Sequence, residues 1–152
     1  MSYKTAPVEV RERVAVRPAL LSCYGCRLKL NAGLEEVVVL STCNRMEVYG
    51  TAQWVQGKVQ RIFEQFCPDL DITPYVYVKE GAEAVEHLFS VTSGLDSMVI
   101  GETEIAGQIK NAYLAAQEAK LTGSVLNRLF QTALKPARKS APTLPSAVAP
   151  RQ

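Results

Sequence analysis

Residues 37–50, VVVLSTCNRMEVYG, constrain this chain more than any other stretch. A β-branched, apolar run from Val37 to Leu40 meets a short polar junction, and an alternating run, Met46-Glu47-Val48-Tyr49, begins immediately after it. The first run reads as a buried strand over 36–42, the second as a strand over 45–51 with period-two alternation. So short a connection favours a tight antiparallel pair. The junction also holds Cys43, among Ser41, Thr42, Asn44 and Arg45. Core packing puts cysteine inside apolar runs, so this position leaves three alternatives open: a nucleophile, a metal ligand or an ordinary part-buried thiol.

Around this hairpin the pattern changes period repeatedly. Thr5 and Pro7 suit a capped helix start, and Pro18 interrupts or restarts the helix beyond it. Val55, Val59, Ile62, Phe63 and Phe66 recur at helical spacing over 55–66, and Cys67-Pro68 ends that helix. TPYVYVKE, residues 73–80, alternates like a third strand. A helix starting at Gly81 should break near Ser93-Gly94 or Gly101. From Glu102, Ile105, Ile109, Ala112, Tyr113 and Ala116 share a helical face as far as the stop at Gly123. A last helix carries Leu126, Leu129, Phe130 and Leu134, and Pro136 kinks or ends it. SAPTLPSAVAPRQ has three prolines and no period, so 140–152 reads as a disordered tail behind a single domain, 1–139. The class is α+β: a small, mainly antiparallel sheet covered by helices, with a helical C-terminal part.

At 152 residues with 47% hydrophobic and 21% charged content, the chain can bury one core. No apolar run approaches the ~20 residues of a membrane span, and the N-terminus lacks the apolar stretch of a secretory signal. Its four cysteines therefore read as reduced thiols in the cytoplasm. Charge is uneven: residues 1–104 hold 10 Lys+Arg against 14 Asp+Glu, and 105–152 hold 7 against 1. The basic end fits an acidic partner such as nucleic acid, or a solvated helix face beside a basic tail.

In an extended strand Arg45 and Cys43 point to one side, and a cation there would favour the thiolate. Thr42 and Asn44 offer donors for a developing oxyanion. The single histidine, His87, lies on a helix among Ala84, Val85, Leu88 and Val91, as a packed core residue or as a general acid or orienting donor. Cys23 and Cys26 form a CxxC without a second close pair, so incidental thiols near a turn are favoured over a metal or redox site. Neither G-x-G-x-x-G nor G-x-x-x-x-G-K-[ST] occurs.

Three segments together, SYKTAPVEVRE (2–12), LSTCNRMEVY (40–49) and VEHLFSVTSGLDSMVIGETEIAGQIKNAY (85–113), resemble the catalytic domain of glutamyl-tRNA reductases. That family reduces glutamate carried on its tRNA to glutamate-1-semialdehyde with NADPH, at the head of tetrapyrrole (porphyrin) biosynthesis. The resemblance implies a ferredoxin-like α+β fold without its first strand, because the family has a strand ahead of the S-Y/H-K-T-A-P segment. It makes Cys43 the nucleophile that forms a thioester from the glutamyl ester, and His87 an activity-critical residue. It places Thr42, Asn44, Arg45, Ser97, Glu102, Thr103, Glu104 and Gln108 around the glutamyl group. Arg45 would pair with the substrate's side-chain carboxylate or with the thiolate.

Family chains continue into an NADPH domain and a dimerisation domain. Here APTLPSAVAPRQ comes after KPARKS where V-R-T-E-T is usual, and Glu104 stands where glutamine is common. The expectation is a catalytic domain lacking its cofactor and dimerisation domains, with no metal. Its partners would be glutamyl-tRNA and the pathway's next enzyme, glutamate-1-semialdehyde aminomutase. The competing reading is a non-reducing fragment that only binds tRNA or a partner protein.

Overall fold

A computed structural model describes residues 1–55, 57–99 and 104–135. The expectations for Glu102, Thr103, Pro136 and the 140–152 tail lie outside the described residues.

Helix α1, Val8–Val14, starts after an extended Pro7 and buries Val10 and Val14, one turn apart on a single face. A 3₁₀ turn at Pro18–Leu20 runs directly into α2, Leu21–Ala32, so Pro18 starts a helix where it cannot continue one. Cys23 and Cys26 consequently sit on α2, both exposed, and not near a turn as expected. Gly25 between them admits a close neighbour through its bare Cα: a Cβ there would meet Leu121 Cδ1 at 2.5 Å. Gly33, at φ 73°, closes α2 in the left-handed conformation.

Strands β1, Glu36–Ser41, and β2, Met46–Thr51, pair antiparallel with Val38 opposite Tyr49 and Ser41 opposite Met46. Val37 to Leu40 are buried on both faces, because α2 packs on β1 and so do two later helices. That accounts for the unbroken apolar run. The small antiparallel sheet covered by helices is the architecture observed.

Helix α3, Lys58–Phe66, begins after a left-handed Gly57, later than the apolar spacing from Val55 implied. Its Phe66 stacks on Tyr24 of α2 at 5.1 Å between ring centroids. The third strand expected over 73–80 does not form. Thr73–Tyr75 make a 3₁₀ turn, Val76 is extended, and no ladder joins the segment to the sheet. Alternation shapes a strand, but a strand exists only where a neighbour takes its backbone groups.

Helix α4, Ala82–Thr92, ends at Ser93-Gly94 as the sequence implied. Helix α5, Glu104–Glu118, buries the expected face, Ile105, Ile109, Ala112, Tyr113 and Ala116. Lys120, at φ 61°, then takes the left-handed position of a Schellman motif: Leu121 N bonds Ala116 O at 2.9 Å and Lys120 N bonds Gln117 O at 3.0 Å. Helix α6, Ser124–Ala133, buries Leu126, Phe130 and Ala133. Its first turn has no cap of its own, and Glu36 of β1 supplies one: Oε1 accepts from Gly123 N at 2.6 Å and Leu126 N at 2.9 Å.

Candidate active site

The β1–β2 connection is a two-residue loop, Cys43-Asn44, closed by Thr42 N donating to Arg45 O at 2.9 Å. Such loops favour positive φ, yet neither loop residue is among the described residues with it. Thr42 provides the substitute, its Oγ1 accepting from both Asn44 N and Arg45 N at 3.2 Å. The loop's carbonyls are held as well: Tyr3 N donates to Asn44 O at 2.8 Å and Arg11 Nε to Cys43 O at 3.3 Å. This fixed backbone leaves the Cys43 side chain exposed. Of the donors expected for an oxyanion, the Thr42 and Asn44 amides are spent inside the turn. The Cys43 amide and the Asn44 side chain make no hydrogen bond among the described residues.

Arg45 does not face the thiol as the strand geometry implied. Its guanidinium is 2% exposed, with Nη1 donating to Glu47 Oε2 at 3.1 Å and Nη2 to Asp96 Oδ2 at 3.0 Å and Asp96 O at 2.5 Å. The reason lies in the charges: two carboxylates outside the sequence reading, Glu47 and Asp96, claim the cation first. Together they tie the hairpin to the loop after α4, where Ser97 is buried. Arg11 is the cation that reaches the loop itself.

Glu47 stands at the centre of what the sequence reading missed. Its carboxylate accepts from Arg45, from Tyr49 Oη at 2.6 Å, from Tyr77 Oη, and from His87 Nε2 at 2.5 Å. Burial pushes this carboxyl up, but the bonds and charges of His87, Arg45 and Tyr49 outweigh it and hold it at about 2. Burial and the Glu47 charge push both tyrosine hydroxyls up, so they stay protonated donors. An ionised carboxylate only accepts, so Nε2 of His87 carries the hydrogen and Nδ1 is the remaining ring nitrogen. His87 is thus an oriented imidazole, with its ring edge-on to Tyr77 at 5.4 Å, and not an apolar core residue. A signal was present: Arg45, Glu47 and Tyr49 alternate on one strand face.

The structure brings Thr42, Cys43, Asn44 and Arg45 into one turn, joins His87 to it through Glu47, and joins Ser97 through Asp96. Glu104 and Gln108 stand one turn apart on the exposed face of α5 and bond to none of these residues. Among the described residues, no group of three or more His, Cys, Asp or Glu is placed to hold a metal ion, and no helix is long and apolar enough to cross a membrane.

Fold and site define a small α+β domain that presents one exposed thiol on a braced hairpin, backed by a buried carboxylate–histidine pair. Residues 1–142 match the family described as glutamyl-tRNAGlu reductase, N-terminal domain, and the chain belongs to that family. It is 47% identical over 141 residues to the glutamyl-tRNA reductase of Shouchella clausii, covering 88% of this chain and 31% of that protein. With the Akkermansia muciniphila glutamyl-tRNA reductase the identity is 43%, over 91% of this chain and 42% of the relative. The solved glutamyl-tRNA reductase of Methanopyrus kandleri superposes with a TM-score of 0.73 at 32% identity, over 88% of this chain and 31% of that one. The chain therefore spans about a third of the length of most of these relatives.

Proposed function

We propose that residues 1–152 carry the acyl-transfer step of a glutamyl-tRNA reductase. The observation that carries this reading is the exposed thiol of Cys43 on a turn held at every side, within a chain of that family. The Cys43 thiolate attacks the ester carbonyl of glutamyl-tRNA. A carbon–sulfur bond forms, the carbon–oxygen bond to the ribose breaks, and the released hydroxyl takes up a proton. His87, oriented through Nε2 by Glu47, has Nδ1 as its proton-transfer atom. The Cys43 amide and the Asn44 side chain are the uncommitted donors for the carbonyl oxygen. Arg45 braces the turn against the Asp96–Ser97 loop, and takes the substrate carboxylate only by exchanging it for Asp96. Glu104 and Gln108 approach the glutamyl group from α5, with Glu102 and Thr103 preceding them in the chain. The setting is the cytoplasm, where the four free thiols stay reduced.

The residues described do not fit the family's hydride donor, NADPH. The strands form an antiparallel hairpin, and no glycine-rich turn leads from a strand into a helix N-terminus. The reading is therefore confined to the acyl step.

The test is release of labelled glutamate from glutamyl-tRNA in the absence of NADPH, through a thioester that water opens. Cys43→Ser should abolish it, because a serine hydroxyl without a strong base is a poor nucleophile. A folded Cys43→Ser protein that deacylates at the unaltered rate overturns the assignment, and so does a folded parent protein that releases nothing.

A further inference from the structure

The cations on α1 and around the Cys43 turn differ in how their charge is matched. Lys4 Nζ holds Asp96 Oδ1 at 2.7 Å, Arg13 holds Asp69 at 2.9 Å, and Arg45 is shared by Glu47 and Asp96. Arg11 is half-buried on α1, and among the described residues no carboxylate pairs with it. Its bonds go to neutral carbonyls instead: Nη1 donates to Ala6 O at 2.6 Å and Nε to Cys43 O at 3.3 Å. Those two bonds orient the planar group and leave its charge whole. A guanidinium has five N–H donors. The second hydrogen of Nη1 and both hydrogens of Nη2 meet no acceptor among the described residues.

The support beneath Arg11 is rigid, since Val10 and Val14 bury one face of α1. One of its two anchors is the carbonyl of Cys43 itself, so the guanidinium stands within a residue's span of the sulfur. An oriented, part-desolvated and unmatched guanidinium with donors to spare is a receptor for an anion. Which anion it takes follows from what the thiol attacks. In an aminoacyl-tRNA the ester is on the ribose of the terminal nucleotide, and that same ribose carries a phosphate on its 5′ carbon. The glutamyl group is met from α5 and the Asp96–Ser97 loop, whereas Arg11 comes from α1 and is left for the nucleotide side. A phosphate offers the paired oxygens that a planar fork of donors matches.

We propose that Arg11 binds the 5′-phosphate of the terminal nucleotide of the acyl donor, and so sets the ester beside Cys43. The proposal rests on the acyl-transfer reading of Cys43 and adds the residue that recognises the leaving nucleotide.

Two measurements separate this contact from the acyl chemistry. In the first, adenosine 5′-monophosphate is titrated into isotope-labelled protein while the Nε–H resonance of Arg11 and the backbone amides of 42–45 are followed. A saturable shift should appear with adenosine 5′-monophosphate and not with adenosine, and Arg11→Ala should weaken the affinity about ten-fold or more. In the second, release of glutamate without NADPH is compared for 3′-O-glutamyl-adenosine 5′-monophosphate and 3′-O-glutamyl-adenosine. The parent protein should favour the phosphorylated ester about ten-fold or more in kcat/KM, chiefly through KM. Arg11→Ala should bring that ratio close to one, and Arg11→Lys, which keeps the charge and loses the fork, should retain part of it. The ratio cancels whatever Arg11 contributes by holding the Cys43 carbonyl, because both esters meet the same thiol. The proposal is overturned if adenosine 5′-monophosphate gives no saturable shift at Arg11, if free glutamate shifts that resonance equally, if the parent does not distinguish the two esters, or if Arg11→Ala keeps the parent's ratio. A protein that binds adenosine 5′-monophosphate at Arg11 and cleaves neither ester supports the phosphate contact and overturns the acyl-transfer reading.

Discussion

A carboxylate with 5% of its side chain exposed persists at Glu47 because four donors converge on it from the end of the turn, β2, α4 and the 76–80 segment. Its folded carboxyl titrates at about 2 against an ordinary 4.5, so the folded state favours the charged form. Between those values the unfolded chain binds the proton more readily. The stabilisation is therefore complete above about pH 4.5 and is lost as pH falls towards 2. Urea midpoints measured across that window should drop steeply in the parent protein and much less in Glu47→Gln. An equal drop in both would show that Glu47 is not the responsible group. The thiols separate by burial: Cys67 is 5% exposed and lies between Arg13 and Asp69, whereas Cys23, Cys26 and Cys43 are open. Brief iodoacetamide labelling with peptide mapping should modify the three exposed thiols under native conditions and reach Cys67 only after denaturant is added.

Helix α6 depends for its start on a residue 87 positions earlier in the chain. Replacing Glu36 with alanine leaves the Gly123 and Leu126 amides uncapped next to a positive helix end, and should cost ~1–2 kcal/mol. Glu36→Gln keeps an acceptor oxygen and should recover part of that, as denaturant titration of both variants would show. The end of α5 has the opposite character. Lys120 holds a left-handed backbone that glycine adopts freely, and its side chain is exposed. Lys120→Gly should therefore leave stability unchanged or raise it by up to ~1 kcal/mol, although the same change inside a helix would be destabilising. A clear loss in thermal unfolding would show that the Lys120 side chain contributes something beyond the cap.

Across the whole molecule, Phe130 links the layers. At 1% exposure it stands edge-on to Tyr49 of β2 at 5.4 Å and stacks with Tyr113 of α5 at 5.5 Å. Phe130→Ala should cost ~3–5 kcal/mol, a large share of the stability of a domain this size, read as a fall in the urea midpoint. The sequence by itself determined the hairpin, because a two-residue connection and opposed periodicities admit one local pairing. It also determined the buried face of α5, the end of α4 at Ser93-Gly94, and Cys43 as the thiol on the turn. All of these depend on neighbours a few residues apart. Tertiary structure alone decided the rest. It withheld a strand from 73–80 because no ladder reached it, and brought Leu121 into the space that the missing Cβ of Gly25 leaves. It also turned Arg45 from the thiol to Glu47 and Asp96, and joined His87 to Glu47 across 40 positions. Alternation and spacing describe what a segment can become. Which charge meets which, and which strand finds a partner, is set by distances through space that the chain acquires only on folding.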